Sequence, residues 1–460
     1  MMTAFMLIVA GVTVLVTIAA PVVASIYSSS AWRVPELAEQ YSSLVMLTYL
    51  TLPQIFFYGA FFLIGQVLNA RDKFGPMMWA PIANNVVSII LLVTYLMIWG
   101  TGQDTSQAFT TAQMLLLGLG STLGIAVQTA VLIPFMRQAG FRFRARFDII
   151  GTGLGKTFKL AVWTLGFVAV NQVALIVVQR LATSATATGA GAGLLTYNNA
   201  HLLWILPHSL ITVSLATAML PNASRLAAAG DLTAVTEEFT KTVRLALLVI
   251  VPATVVFIAL AGPISGILFG HGAHPEDARL IAWTLMAFAV GLIPFTIQFV
   301  CLRTYYALED TRTPFLLQIL IAGVNIVAAI VLVRLTTSTA WVAPALALAY
   351  SLAYLVGVLA SWQVLRRRLP GMDGTNLLLH VVRLLLGSLL GGVAAYYLAG
   401  WLTSVIPSRL LANLAACLAG GLLVLGGYLL LGRLLKVREL ANLRDLVQSR
   451  LGRGNRPPPP

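Results

Sequence analysis

Fifteen carboxylates are available to this chain for acid–base or ion-coupling chemistry, and their placement argues against both uses. Ion-coupled pumps bury an acidic side chain at membrane depth to carry a proton or sodium ion. Here every Asp and Glu falls at the edge of an apolar run or in a loop between two. Hydrolysis or glycosyl transfer needs positioned acids or a nucleophile–base pair, and no loop carries such a set. The sequence has no Gly-rich phosphate loop of the ATPase type. Cys301 and Cys417 offer neither a disulfide framework nor metal-ligand spacing. The expectation is no enzyme, no cofactor and no metal.

The remaining polar residues suit binding. His201, Trp204 and His208 are spaced to share one helical face, with Asn198 nearby and Pro207 expected to kink the same run. Such a stripe could receive a polar headgroup, or form an interfacial aromatic belt with packed histidines. Arg180, at the end of the preceding run, could pair with an anionic headgroup or snorkel to the interface. Arg180, Asn198, His201, Trp204 and His208 are therefore the substrate-binding candidates. Asn171, Gln172 and Gln298 lie deeper in apolar runs and predict helix-to-helix hydrogen bonds.

These residues must be positioned by membrane helices. The chain is 59% hydrophobic and 10% charged, with mean hydropathy +0.89. A hydrocarbon core of roughly 30 Å takes about 20 apolar residues per helix. Twelve such runs lie near 4–27, 43–68, 77–100, 109–136, 157–182, 194–220, 242–268, 279–303, 313–335, 341–363, 379–400 and 410–432. They lack the alternation of barrel strands, which leaves an all-α polytopic membrane protein. The first run is long and lacks a basic start, unlike a removable signal peptide. Of the 29 Lys and Arg, 24 fall on the side that also holds both termini. That bias predicts cytoplasmic termini. It also accounts for the net charge of +14 through anionic lipid headgroups, without nucleic acid. Pro53, Pro81, Pro252, Pro263 and Pro294 predict bent helices, and the small-residue runs 387–392 and 420–427 predict close packing or a smooth wall. Residues 433–460 read as a cytoplasmic tail, an amphipathic helix followed by a disordered Pro-rich end.

Two loops repeat. Asn69, Asp72 and Pro76 sit between the second and third runs, and Glu309, Asp310 and Pro314 sit between the eighth and ninth. In each the Asp lies four residues before the Pro, and Asp72 and Asp310 are 238 positions apart. A period of six spans follows, and an even period gives two lobes of the same orientation. The lobes are residues 1–137, with four helices, and 157–363, with six. An additional helix pair occupies 379–432. The first lobe is expected to lack its first two helices, through a start set too far downstream or as a natural short form.

Several stretches resemble one family. Gln66–Phe74 with Ala80-Pro81 and Asn84-Asn85 is similar to the MurJ (MviN) lipid II flippases of the MOP exporter superfamily. So are Ala261–Ile264, Tyr305–Pro314, and Pro207–Ser209 with Ala218–Pro221 and Ser224–Leu226. The basic, Ala-rich style resembles an actinobacterial member. The resemblance implies fourteen helices, as two six-helix lobes and a final pair, around a cavity that opens alternately inward and outward. It implies transport of lipid II from the inner to the outer leaflet of the plasma membrane for cell-wall synthesis. Lipid II or a related undecaprenyl-pyrophosphate-linked sugar, membrane lipids and cell-wall synthesis proteins are the implied partners, with the lipid tail along the last two spans. This chain matches the family's third to fourteenth helices. It departs where many members place an arginine before the helix-eight proline and this chain has Ala200-His201-Leu202. Other readings left open are export of a different lipid-linked glycan or small cationic drug, and a non-transporting scaffold for cell-wall enzymes.

Overall fold

The computed structural model of the chain describes residues 2–100, 107–141, 154–187, 193–271 and 277–434. Its regular elements are all helical. Ten helices are long and apolar enough to cross a membrane, or twelve if each of two bent pairs is one span. Most of the loop between Arg137 and Lys159 and nearly all of the tail expected over 433–460 lie outside the described residues. The chain divides into two compact units, residues 1–160 and 161–460.

In the first unit, α1 (Met2–Ile18) and α2 (Ala20–Tyr27) meet at 73°. Pro21 lies in the first turn of α2, where its missing N–H and fixed φ start a helix more readily than they continue one. Pro53 separates α3 (Ala38–Thr51) from α4 (Gln54–Asn69), and Pro81 separates α5 (Gly75–Trp79) from α6 (Pro81–Trp99). α7 (Thr111–Ala130) and α8 (Leu132–Gln138) follow. The Thr110 hydroxyl accepts from the Gln113 N–H, and the Gln113 amide oxygen accepts from the Thr110 N–H, which caps α7. A proline break frees carbonyls one turn earlier, and the Thr122 hydroxyl of α7 donates to that of Leu50 at 2.7 Å. The core is a small cluster of Ile64, Leu68, Ala80, Leu132 and Met136. No residue of α6 is buried. Such exposure costs nothing where the surroundings are hydrocarbon.

The second unit begins in α9 (Leu154–Ala187) and continues through α10 (Leu194–Pro207) and α11 (Val213–Ala228). Pro207 was expected to kink the chain. The helix runs unbroken from Leu194 to Ala228, and a π-helical turn at His208–Thr212 follows the proline directly. α12 (Leu232–Ala259) starts ten residues before the apolar run at 242, because Asp231 caps it by accepting from the Ala234 N–H. That first stretch carries Glu237, Glu238 and Lys241, so apolar length could not reveal it. α13 (Ala261–Phe269), α14 (Asp277–Val290), α15 (Leu292–Ala307), α16 (Arg312–Leu335), α17 (Val342–Leu365), α18 (Gly374–Val405) and α19 (Arg409–Leu434) complete the unit.

α14 and α15 are together long and apolar enough for one span and meet at a bend of 49°. At the bend the Gly291 N–H bonds back to Phe288 rather than to Ala287, and the freed Ala287 carbonyl accepts from the Ser351 hydroxyl at 2.8 Å. A Cβ at Gly291 would lie 2.5 Å from the Ser351 Oγ and 2.8 Å from its Cα, so only glycine admits α17 this closely. The last two spans are no loose appendage: Val255 and Leu260 share a core with Ala395, Ala399, Ala416 and Val424. α18 and α19 pack backbone to backbone, since a Cβ at Gly391 would lie 2.3 Å from the Leu423 carbonyl oxygen. Of the two outcomes open for the small-residue runs, close packing is the one found here.

Candidate functional site

The two repeated loops share one helix-ending device. In the first, the Lys73 N–H reaches back to the Leu68 carbonyl at 2.9 Å, and Asp72 is left-handed at φ +57°. In the second, the Asp310 N–H reaches back to the Tyr305 carbonyl at 2.9 Å, and Glu309 is left-handed at φ +56°. This is the six-to-one closure that satisfies the last carbonyls of a helix. Among the described residues these are the two non-glycine positions with positive φ. The pairing of Asp72 with Asp310 by distance to the proline therefore shifts by one: the backbone equivalent of Asp72 is Glu309. The second loop holds one extra residue before its proline. Ala70 and Ala307, each two positions before the left-handed acid, carry the signal that finds the correct register.

That extra residue frees Asp310 for another task. Its Oδ1 accepts from the Thr313 N–H at 2.9 Å, capping α16. Its Oδ2 accepts from the Thr313 hydroxyl and from Nη1 of Arg368, just beyond α17. Arg368 also donates from Nη2 to the Thr313 hydroxyl at 3.0 Å and lies over the Tyr305 ring. Burial alone raises the Asp310 carboxyl, but the Thr313 hydroxyl and N–H and the Arg368 guanidinium together hold it below the usual value of 3.8. In the first unit the tie runs through the loop's own arginine: Arg71 Nη1 donates to the Ala139 carbonyl beyond α8 at 2.6 Å. Among the described residues Asn69 reaches only the Met77 sulfur, and Pro76 and Pro314 sit in the first turns of α5 and α16. Arg368 had entered only as one basic residue among many, because its partner lies 58 positions away.

The substrate candidates divide. His201, Trp204 and His208 do share a face, and it points into the core of the second unit. Trp204 is wholly buried against Phe288, Phe295 and Tyr350, with ring centroids 4.8–5.6 Å apart. His208, also buried, lies 4.5 Å from the Phe295 ring and 3.2 Å from the Thr296 hydroxyl. His201 is half-buried between Trp204, Phe288 and Tyr350. Asn198 is exposed on another face of α10, and Arg180 is half-buried on α9. The aromatic partners from α14, α15 and α17 were beyond reach of a single-helix pattern. Asn171 accepts from Gln318 at 3.1 Å, which joins α9 to α16 as expected. Gln172 is exposed, and the buried Gln298 Oε1 has no partner among the described residues.

Comparison with known proteins places this architecture. A model of the family described as "Lipid II flippase MurJ" matches residues 1–416. A relative from Haemophilus influenzae, "Probable lipid II flippase MurJ", is 28% identical over 66% of this chain and 59% of its own length. A protein of the same description from Vibrio cholerae is 28% identical over 61% of this chain and 51% of its own. The chain thus spans between half and three-fifths of the length of these curated relatives. The solved structure "Lipid II flippase MurJ, inward closed conformation" superimposes with a TM-score of 0.70 over 94% of this chain and 82% of that one. At 20% identity that likeness speaks for the fold. This chain is a multi-pass membrane protein that belongs to the lipid II flippase MurJ family.

Proposed function

We propose that this chain moves lipid II, or a closely related undecaprenyl-pyrophosphate-linked sugar, from the inner to the outer leaflet of the bacterial plasma membrane. The family match over residues 1–416 carries the reading. Transport of an intact lipid breaks and makes no covalent bond, which accords with a sequence that has no acid–base or nucleophile set. In this reading both termini are cytoplasmic, and Arg180, Asn198 and His201 contact the polar head of the substrate. A guanidinium matches two phosphate oxygens at once in a way that an ammonium cannot, so Arg180 is assigned to the pyrophosphate. Trp204 and His208 support His201 from behind. Cell-wall synthesis proteins are proposed neighbours of the same membrane.

The test is depletion followed by complementation, reading how fast lipid II becomes accessible on the outer surface. Depletion is expected to stop its arrival and the wild-type chain to restore it. Arg180→Ala should slow arrival about tenfold, the scale of one lost charge-assisted contact, with unchanged protein in the membrane, and Arg180→Lys should recover part of the rate. Normal arrival after depletion sinks the flippase reading and favours another cargo of the superfamily. Normal arrival with both variants removes Arg180 from the site.

A further inference from the structure

α12 begins beside the end of α17, where the Thr236 hydroxyl donates to the Pro370 carbonyl. Its other end, about 40 Å away at the helical rise per residue, borders a cleft of about 840 Å³, apart from the candidate substrate site. The cleft is walled by the α12–α13 junction, the first turns of α14, the last turns of α18 and Asn413 of α19. Its charged lining residue is Arg279. The guanidinium lies 5.0 Å from the Trp283 ring centre, and Trp283 in turn stacks on Trp341 at 4.7 Å and 4°. Stacking holds the planar fork by its face and leaves its edge donors for a ligand. They make no hydrogen bond to a described residue. Below it the wall turns aromatic, with Tyr397 and Trp401 of α18 exposed at 71% and 59%.

We infer that this cleft binds an anionic phospholipid with a hydroxylated headgroup, its phosphate on Arg279. Three features choose that occupant. Among the described residues the single lining charge is positive and exposed, which selects an anion. The exposed aromatic rings lie at span ends, where amphipathic rings sit at headgroup level, so an apolar chain must accompany the anion; free phosphate would leave them uncovered. The hydroxyl protons of Ser404 and Thr403 are spent on carbonyls of their own helix, at 2.7 Å to Trp401 and 2.9 Å to Ala399. Their oxygens therefore accept, which suits a glycerol headgroup and gives nothing to a choline. The outer leaflet as source rests on the orientation proposed above; the binding chemistry does not.

The experiment uses the purified full chain in detergent, titrated separately with phosphatidylglycerol and phosphatidylcholine, with bound lipid counted by native mass spectrometry. Phosphatidylglycerol is expected to bind in preference to phosphatidylcholine. Arg279→Ala should weaken phosphatidylglycerol about tenfold and leave phosphatidylcholine unchanged. Arg33→Ala, an exposed arginine of the first unit, is the control and should change neither. Equal binding by wild type and Arg279→Ala overturns the inference. So does an equal loss in Arg33→Ala, which reports general attraction to a cationic surface, and so does equal affinity for the two lipids. Lipid II plays no part in this readout, so its failure is separable from failure of the flippase reading.

Discussion

Asp310 shows how much one carboxylate can hold in place. It caps α16 through the Thr313 N–H and joins that helix to the end of α17 through Arg368. The arginine is 42% exposed, so screening limits the pair to about 1 kcal/mol, and the cap adds a similar amount. Asp310→Asn keeps the shape and loses the charge, and should lower thermal stability by about 2 °C at neutral pH. The carboxyl is held below 3.8, so its contribution is present above that value and is lost as pH falls through the lower folded value. Melting curves of the two proteins should therefore stay apart from pH 7 down to about pH 4 and converge below it. A constant gap at every pH would assign the loss to altered packing instead. The repeated sequence pointed to this loop, yet the loop's most consequential partner lies beyond the end of another helix. Residue spacing reports neighbours along one helix, and Arg368 is a neighbour only after folding.

Pro53 and Pro81 gave the expected helix breaks, Pro252 lies inside the continuous α12, and what each proline does depends on the helices around it. Pro21, Pro53 and Pro81 mark new helix starts in the first unit. Pro207, with the same intrinsic chemistry, sits in an uninterrupted helix; the π-turn that follows it opens on His208, which packs on Phe295, Phe299 and Thr296. The bend between α14 and α15 depends on Gly291 and Ser351, which no local pattern couples. Gly291→Ala places a methyl 2.8 Å from the Ser351 Cα, backbone that cannot rotate away. Overpacking of this kind costs about 1–3 kcal/mol, and thermal denaturation should show a loss in that range. Removing the serine hydroxyl as well, in Gly291→Ala with Ser351→Ala, should not restore wild-type stability. The new methyl still meets the α17 backbone, and the Ala287 carbonyl loses its donor. A Gly291→Ala protein as stable as wild type would mean that α17 does not approach the bend so closely.

At the scale of the whole chain, each of the two repeated loops is tied to the end of the second span after it. In the first unit the loop after the second span is tied by Arg71 to the end of the fourth. In the second unit the loop after the eighth span is tied by Arg368 to the end of the tenth. The donors sit on opposite partners of the tie, so what repeats is the place of the tie and not its residues, and residue-by-residue comparison of the two halves loses it. In the orientation proposed above, an even period sets both tied loops on one side, and the excess of Lys and Arg there assigns that side to the cytoplasm. Single cysteines test the orientation after Cys301 and Cys417 have been replaced by serine. Glu237, exposed on the first turns of α12, and Thr337, exposed beyond α16, lie at opposite ends of their spans. With an impermeant thiol reagent, Thr337→Cys should react in intact cells and Glu237→Cys only after permeabilisation. The reverse pattern would invert every inside and outside assignment at once, including the leaflet that supplies the lipid at Arg279. Reaction of both in intact cells would break the even period itself, because one of the spans between them would then fail to cross.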